Sequence, residues 1–262
     1  MDSIPVEILF PVTLILLFFA IELGYKIGNT HPEQVKKNKE KMTSSNAGAV
    51  LGLLGFILVF TFGIVYHRYD ERKELVREEA NDIRTAWLRS DLLPDQDKVE
   101  TEKLLKQYID LRLQAVDSWD LDETHANALR ANQVQYRLWD IAEVNFRKDV
   151  TSMAAAHYAE ALNEMINKQA LRIAVGLQAR IPTAIWILLY ILIVLGMFGV
   201  GYQASVSGSS KRSWLTPVMV LSFSLLISLI AALDRPTSNI MKVSQQPLMD
   251  LKSWIDEESK HR

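Results

Sequence analysis
The chain contains no cysteine. Disulfides, thiol nucleophiles and thiolate metal sites are therefore excluded, while the redox compartment stays open. Neither charge is in excess: 29 Lys and Arg face 31 Asp and Glu, for a net charge of −2. No basic stripe exists to displace counterions, so nucleic acid is not a partner. Glycine and proline are almost missing from the middle of the chain. Between residues 67 and 175 there is no glycine, and Pro94 is the single proline. A stretch so poor in turn residues reads as helix. Catalytic signatures are absent too. There is no G-x-S-x-G, no P-loop, no G-x-G-x-x-G and no H-E-x-x-H, and an enzyme is not expected. The five histidines are His31, His67, His125, His157 and His261. They do not supply the paired Glu-x-x-His spacing of di-metal bundles. His157 and Glu160 give the reversed spacing, and Asp122 before His125 reads as a helix cap. No metal and no cofactor are predicted.

What the chain does have is four apolar runs in two pairs: residues 8–27, 47–66, 182–202 and 215–233. Each is about 20 residues, enough to cross a hydrocarbon core as a helix. In lipid every backbone N–H and C=O must be bonded within its own segment, which makes these runs helices. The first lacks a basic leader and an A-x-A-like site, so it reads as a retained span rather than a cleaved signal.

The fold class expected is an all-α membrane protein. Four transmembrane helices carry an extramembrane antiparallel helical bundle inserted between spans 2 and 3. Residues 1–66 hold the first two spans and a short basic loop with Lys36, Lys37, Lys39 and Lys41. Thr43 to Asn46 would cap the second helix. That helix meets charge at His67 without Gly or Pro, so it continues out of the membrane as one rod.

Residues 67–181 form the insert, which reads as four amphipathic helices. Their apolar stripes are Val76, Ala80, Ile83 and Trp87; Leu104, Tyr108, Leu111 and Ala115; Ala131, Val134, Leu138 and Ile141; and Ala159, Leu162, Ile166, Ala170, Ile173 and Leu177. Breaks are expected at Pro94, around 120–124 and around 148–152. Residues 182–233 hold the last two spans, joined by a tight loop from Gly208 to Arg212. Asp234-Arg235-Pro236 stops the fourth, and residues 234–262 form an amphipathic tail with Leu248, Leu251 and Ile255. Tyr25, Tyr202, Trp214, Tyr66 and Trp186 would mark the membrane edges.

Three features bear on function. On the second span Gly48, Gly52 and Gly55 recur at i, i+4 and i+7, a face that admits another backbone closely. Packing within one chain is the plainer reading; packing against copies of the same helix is the sharper one. In the second case Phe56 and Phe60 would form a hydrophobic constriction, which gates by dewetting. Beyond the span, Arg68, Asp70 and Arg72 are candidates for a vestibule facing ions, against the simpler reading of a solvated helix laced by ion pairs. Glu22, near the end of the first run, reads as an interfacial residue with Lys26 at i+4.

Three blocks, read together, resemble the bacterial bestrophin-like domain family. They are the glycine-spaced second span running into Arg68-Tyr69-Asp70-Glu71-Arg72; Glu78-Glu79-Ala80-Asn81-Asp82-Ile83-Arg84-Thr85-Ala86-Trp87-Leu88-Arg89-Ser90-Asp91-Leu92-Leu93-Pro94; and Leu233-Asp234-Arg235-Pro236 with Val243-Ser244-Gln245-Gln246-Pro247-Leu248. The resemblance covers residues 47–251. Through similarity to bestrophins it implies a pentameric ion channel in the bacterial inner membrane, with self-assembly, the bilayer and small inorganic ions as partners. Its neck would lie on the second span. The acidic calcium clasp of bestrophins has no counterpart in this tail, so calcium gating is not implied. The alternative is a non-conducting sensor or assembly module whose bundle binds a ligand or partner protein. A secondary transporter would want broken helices and midplane polar groups; the spans offer mainly Thr61, Ser222, Ser224 and Ser228. The lysines of the first loop favour cytoplasmic short loops with the bundle outside, whereas the bestrophin resemblance implies a cytoplasmic bundle.

Overall fold
The structure is a computed structural model and describes residues 6–30, 33–117, 121–178, 180–207, 215–235 and 241–261. Among these residues it is all helix: α1 (Val6–Asn29), α2 (Glu33–Arg89), α3 (Asp95–Asp117), α4 (Leu121–Lys148), α5 (Met153–Ile173), α6 (Thr183–Val206), α7 (Leu215–Asp234) and α8 (Gln246–His261). Four of them, α1, α2, α6 and α7, are long and apolar enough to cross a membrane. The loop from Gly208 to Arg212, Trp214, Asp120 and Pro236 lie outside the described residues.

The chain divides into two units. The membrane unit takes Met1–Tyr69 and Ala179–Lys242, and the bundle unit takes Asp70–Gln178 and Val243–Arg262. Helix α2 contributes to both and is one element of 57 residues. Its start corrects the expected basic loop, because Lys36, Lys37, Lys39 and Lys41 belong to the helix itself. The residues Glu33 to Met42 are mostly strong helix formers with no Gly or Pro, so nothing breaks the helix before Thr43.

In the membrane unit α1 and α6 pack through small residues. A Cβ on Gly24 would collide with the carbonyl of Phe198, one on Gly201 with the carbonyl of Ile21, and one on Gly28 would lie 2.8 Å from Cβ of Ser205. This is the close backbone approach that Gly-x-x-x-small spacing permits in lipid, where dispersion rather than water exclusion drives association. Thr13 Oγ1 and the Tyr190 hydroxyl share a hydrogen bond of 3.0 Å across the same pair. Helix α2 lies on α6 with Leu51 against Gly196 and Ala47 against Gly199. Trp186, expected at a membrane edge, is buried and packs with Leu189 and Ile193 in the unit's core.

The bundle unit is built on Ile83 and Trp87 of α2, Leu104 and Tyr108 of α3, Val134 and Leu138 of α4, and Tyr158, Leu162 and Met165 of α5. A 3-10 turn at Ser90–Leu92 precedes Pro94 and ends α2. The tail supplies a fifth helix: Leu248, Leu251 and Ile255 of α8 enter the same core. Lys252 pairs with Asp110 at 2.7 Å, and the Arg84 guanidinium lies 4.4 Å from the Trp254 ring. Helix α5 is rotated from the expected stripe. Its buried residues are Ala155, Tyr158, Ala161, Leu162, Met165 and Gln169, while Ala170 is exposed. The cause is that Tyr158 and Gln169 turn inward on hydrogen bonds, which apolar periodicity does not detect. After Ile173, α5 loosens into a π-helical turn, Ala174–Gln178.

Candidate functional site
At 100° per residue, Gly48, Gly52, Gly55, Phe56, Val59, Phe60 and Gly63 occupy a sector of roughly 140° on α2. The opposite stripe, Ala47, Leu54, Leu58, Thr61 and Val65, is buried within the chain. The glycine sector is not. Among the described residues, nothing lies within 4 Å of a Cβ built on Gly48, Gly52, Gly55 or Gly63. Phe56 and Phe60 are 61% and 59% exposed, with their ring centroids 4.7 Å apart. The structure therefore brings the two phenylalanines together with the glycines on one uncovered face. Among the described residues the close approaches inside the chain are made by Gly24, Gly28 and Gly201 rather than by these glycines.

The three vestibule candidates lie within five residues of α2 and differ in exposure and partners. Arg68 turns toward Asp234, 3.9 Å away. Asp234 also accepts from the Ile181 amide at 3.0 Å, and its carbonyl accepts from Arg180. This carboxylate thus ties α2, the end of α7 and the approach to α6 within the membrane unit. Arg72 is buried, 6% exposed. Asp70 alone stays on the solvent side, paired with Lys73 at 3.5 Å. Arg77 pairs with Glu74 in the same i,i+3 manner.

A second polar centre lies inside the bundle unit, outside every sequence expectation. The Glu79 carboxylate is fully buried. It accepts from Nε of Arg112 at 2.8 Å, from Nη2 of Arg112 at 3.3 Å, from the Tyr108 hydroxyl at 2.8 Å and from Arg172. Arg172 reaches on to Gln245 at 2.9 Å, and Gln135 donates to Gln169 and to Tyr108. Burial opposes the charge on Glu79, but Arg112 and Arg172 outweigh it and hold the carboxyl below the usual range. Burial and the neighbouring Glu79 push the Tyr108 hydroxyl well up, so it serves as a donor. The one signal in the sequence is a set of Glu79, Tyr108, Arg112 and Arg172 on the inward sides of their helices, where charge is rarely tolerated unpaired.

Beside this centre, Asp82, Thr85, Arg89, Glu160, Ala161 and Glu164 line a groove of about 230 Å³ between α2 and α5. Arg89 closes one side by donating to the His157 carbonyl and to Glu160.

The architecture matches solved structures over nearly its whole length. A bacterial Bestrophin homolog from Klebsiella pneumoniae, solved as a point variant, superposes with a TM-score of 0.67 at 13% identity, covering 97% of this chain and 98% of that one. A point variant described only as a membrane protein gives 0.65 at 12% identity, with 95% and 97% covered. A second variant of the Klebsiella pneumoniae homolog gives 0.64 at 13%, with 95% and 98% covered. At such identities the likeness establishes the fold alone. No curated protein matches the chain. The Bestrophin-like domain family model matches residues 16–248. With a match over most of its length, four spans and this bundle, the chain belongs to the Bestrophin-like domain family.

Proposed function
We propose that the chain is one subunit of a homo-oligomeric membrane ion channel whose pore is lined by α2. The observation that carries this reading is the uncovered sector of α2, with Gly48, Gly52 and Gly55 beside Phe56 and Phe60. Glycines on a lipid-facing surface lose packing without gain, whereas glycines between helices allow backbones to approach. Copies of α2 gathered about a shared axis would use that face. The paired phenyl rings would then form a narrow dry neck that gates by dewetting. Family membership supports a channel, and the resemblance to bestrophins carries the number five for the ring. The ions are small and inorganic. Of the vestibule candidates, Asp70 is the one whose exposure suits a path for ions.

Two measurements test the reading. The mass of the detergent-solubilised complex should be a multiple of the 29.8 kDa chain, and purified protein in planar bilayers should give single-channel currents. A monomer, or conductance no greater than that of empty bilayers, would sink it. The lysines around Lys36 favour short connections in the cytoplasm and a bundle outside. Protease added to intact spheroplasts should then cleave in the bundle; survival of the bundle there would reverse this orientation.

A further inference from the structure
Three arginines stand at the same distance from the apolar runs of the membrane unit. Arg68 follows the run 47–66 by two residues, Arg235 follows the run 215–233 by two, and Arg180 precedes the run 182–202 by two. Chain order puts these three edges on one side of the membrane: α2 leaves on it, α6 enters from it and α7 comes back to it. The structure gathers the arginines at Asp234. The carboxylate lies 3.9 Å from Nη1 of Arg68, the Asp234 carbonyl accepts from Arg180, and Arg235, the next residue, is 8% exposed. One carboxylate does not saturate this charge. Its Oδ1, the oxygen nearest Arg68, already accepts from the Ile181 amide at 3.0 Å. At 3.9 Å it holds Arg68 by charge alone, and the enclosed Nη1 makes no hydrogen bond among the described residues. The bond from Arg180 goes to a backbone carbonyl, a common use of a cation at a helix C-terminus. The Arg68 side chain is 27% exposed, so its guanidinium can be reached from the membrane surface.

We propose that Arg68, Arg180 and Arg235 seat the phosphate of an anionic phospholipid. Guanidinium groups match phosphate oxygens in charge and in bidentate geometry, and basic pockets between membrane helices take anionic headgroups. Depth selects a lipid over a phosphate from solution. Two residues beyond an apolar run is roughly 3 Å along a helix, which lies within the headgroup layer that flanks the hydrocarbon core. Bilayer phosphates are held at that depth, so their effective concentration there is high. The site goes beyond the channel reading and is the same whether one copy or several assemble.

The test titrates purified full-length protein in neutral detergent with phosphatidylglycerol or with phosphatidylcholine, and reads bound lipid by native mass spectrometry. Phosphatidylglycerol should saturate its adducts at concentrations where phosphatidylcholine gives few. Arg68→Gln should weaken phosphatidylglycerol roughly tenfold. Arg68→Lys keeps the charge but loses the fork, and should fall between that variant and the parent. Lys26→Gln removes an exposed cation from the last turn of α1, at the opposite membrane edge, and should change nothing. If Arg68→Gln does not fold, Arg68→Lys against Lys26→Gln carries the comparison. Inorganic phosphate added at millimolar concentration should not displace the lipid; if it does, the seat serves phosphate from solution and the lipid assignment falls. If the Arg68 variants bind phosphatidylglycerol as Lys26→Gln does, or if the parent binds both lipids alike, the arginines form no phosphate seat.

Discussion
At the scale of single residues the decisive contrast is between two carboxylates on α2, one enclosed by partners and one with an oxygen left unbonded. Glu79 sits between Arg112 and Arg172. Removing its charge leaves two guanidinium groups inside the bundle with no counterion, a loss of about 3–5 kcal/mol in such pairs. Glu79→Gln should therefore lower the thermal midpoint of the purified protein sharply, as read by circular dichroism. Because the folded-state pKa of Glu79 is depressed, its contribution is present above the ordinary carboxylate pKa and is lost as pH falls through the depressed value. The deficit of Glu79→Gln should accordingly be full at neutral pH and shrink in strong acid. Asp82 behaves oppositely. Its Oδ2 is buried without a hydrogen bond among the described residues. Burial raises its pKa, Lys168 opposes that, and Glu164, Glu78 and Glu79 reinforce it. A raised pKa gives stability in acid that disappears as pH rises through the folded value. Asp82→Asn should then stabilise the protein at neutral pH, with the gain fading as pH falls. The sequence sets Glu79 nearer the inward stripe of α2 than Asp82, but both stand in a run dense in both charges and their partners cannot be read from it. Which one meets two arginines depends on α3 and α5, whose arginines lie 33 and 93 residues further along the chain.

At the scale of elements, the same residue type does two different jobs. Gly24 and Gly201 are contacts within the chain, where any side chain would strike a carbonyl of the facing helix. Gly52 faces open space in the single chain. Gly24→Val should separate α1 from α6 and unfold the membrane unit, seen as loss of the monodisperse peak in gel filtration. Gly52→Val should leave each chain folded, because nothing within it is displaced, and should disturb only the association of copies. Native mass spectrometry of the two variants separates these outcomes. The spans and the inward stripes of α2, α3 and α4 are legible in the sequence because lipid and a dry core both demand apolar surface at a helical period. Two elements depart from expectation for physical reasons. The start of α2 has helix-forming residues that happen to be charged, and charge suggests a loop. Helix α5 turns Tyr158 and Gln169 inward, and a hydrogen-bonded polar residue enters a core without leaving an apolar trace. The Gly24-x-x-x-Gly28 pair is as visible as the glycines of α2, but spacing alone does not say which glycine face finds its partner within the chain.

At the scale of the whole molecule, the question is what covers the outer faces of the membrane helices. Ile187 and Ile191 on α6, and Val218 and Leu225 on α7, are exposed apolar residues without glycine among them. Such surfaces suit acyl chains, which conform to bulky aliphatic side chains. The Phe56 and Phe60 face differs in having four glycines beside it, so it can admit a second helix closely. If copies of α2 line a pore, that face meets water and ions at its centre, and the phenyl rings set the barrier. Truncation there should act on conductance, while truncation on the lipid side should not. Phe60→Ala is expected to raise single-channel conductance or open probability, by replacing a ring that excludes water with a methyl group that does not span the neck. Ile187→Ala, equally apolar and 54% exposed, is expected to conduct as the parent does. Recorded in the same bilayers at equal protein loading, equal effects of the two substitutions would place α2 against lipid and remove it from the pore.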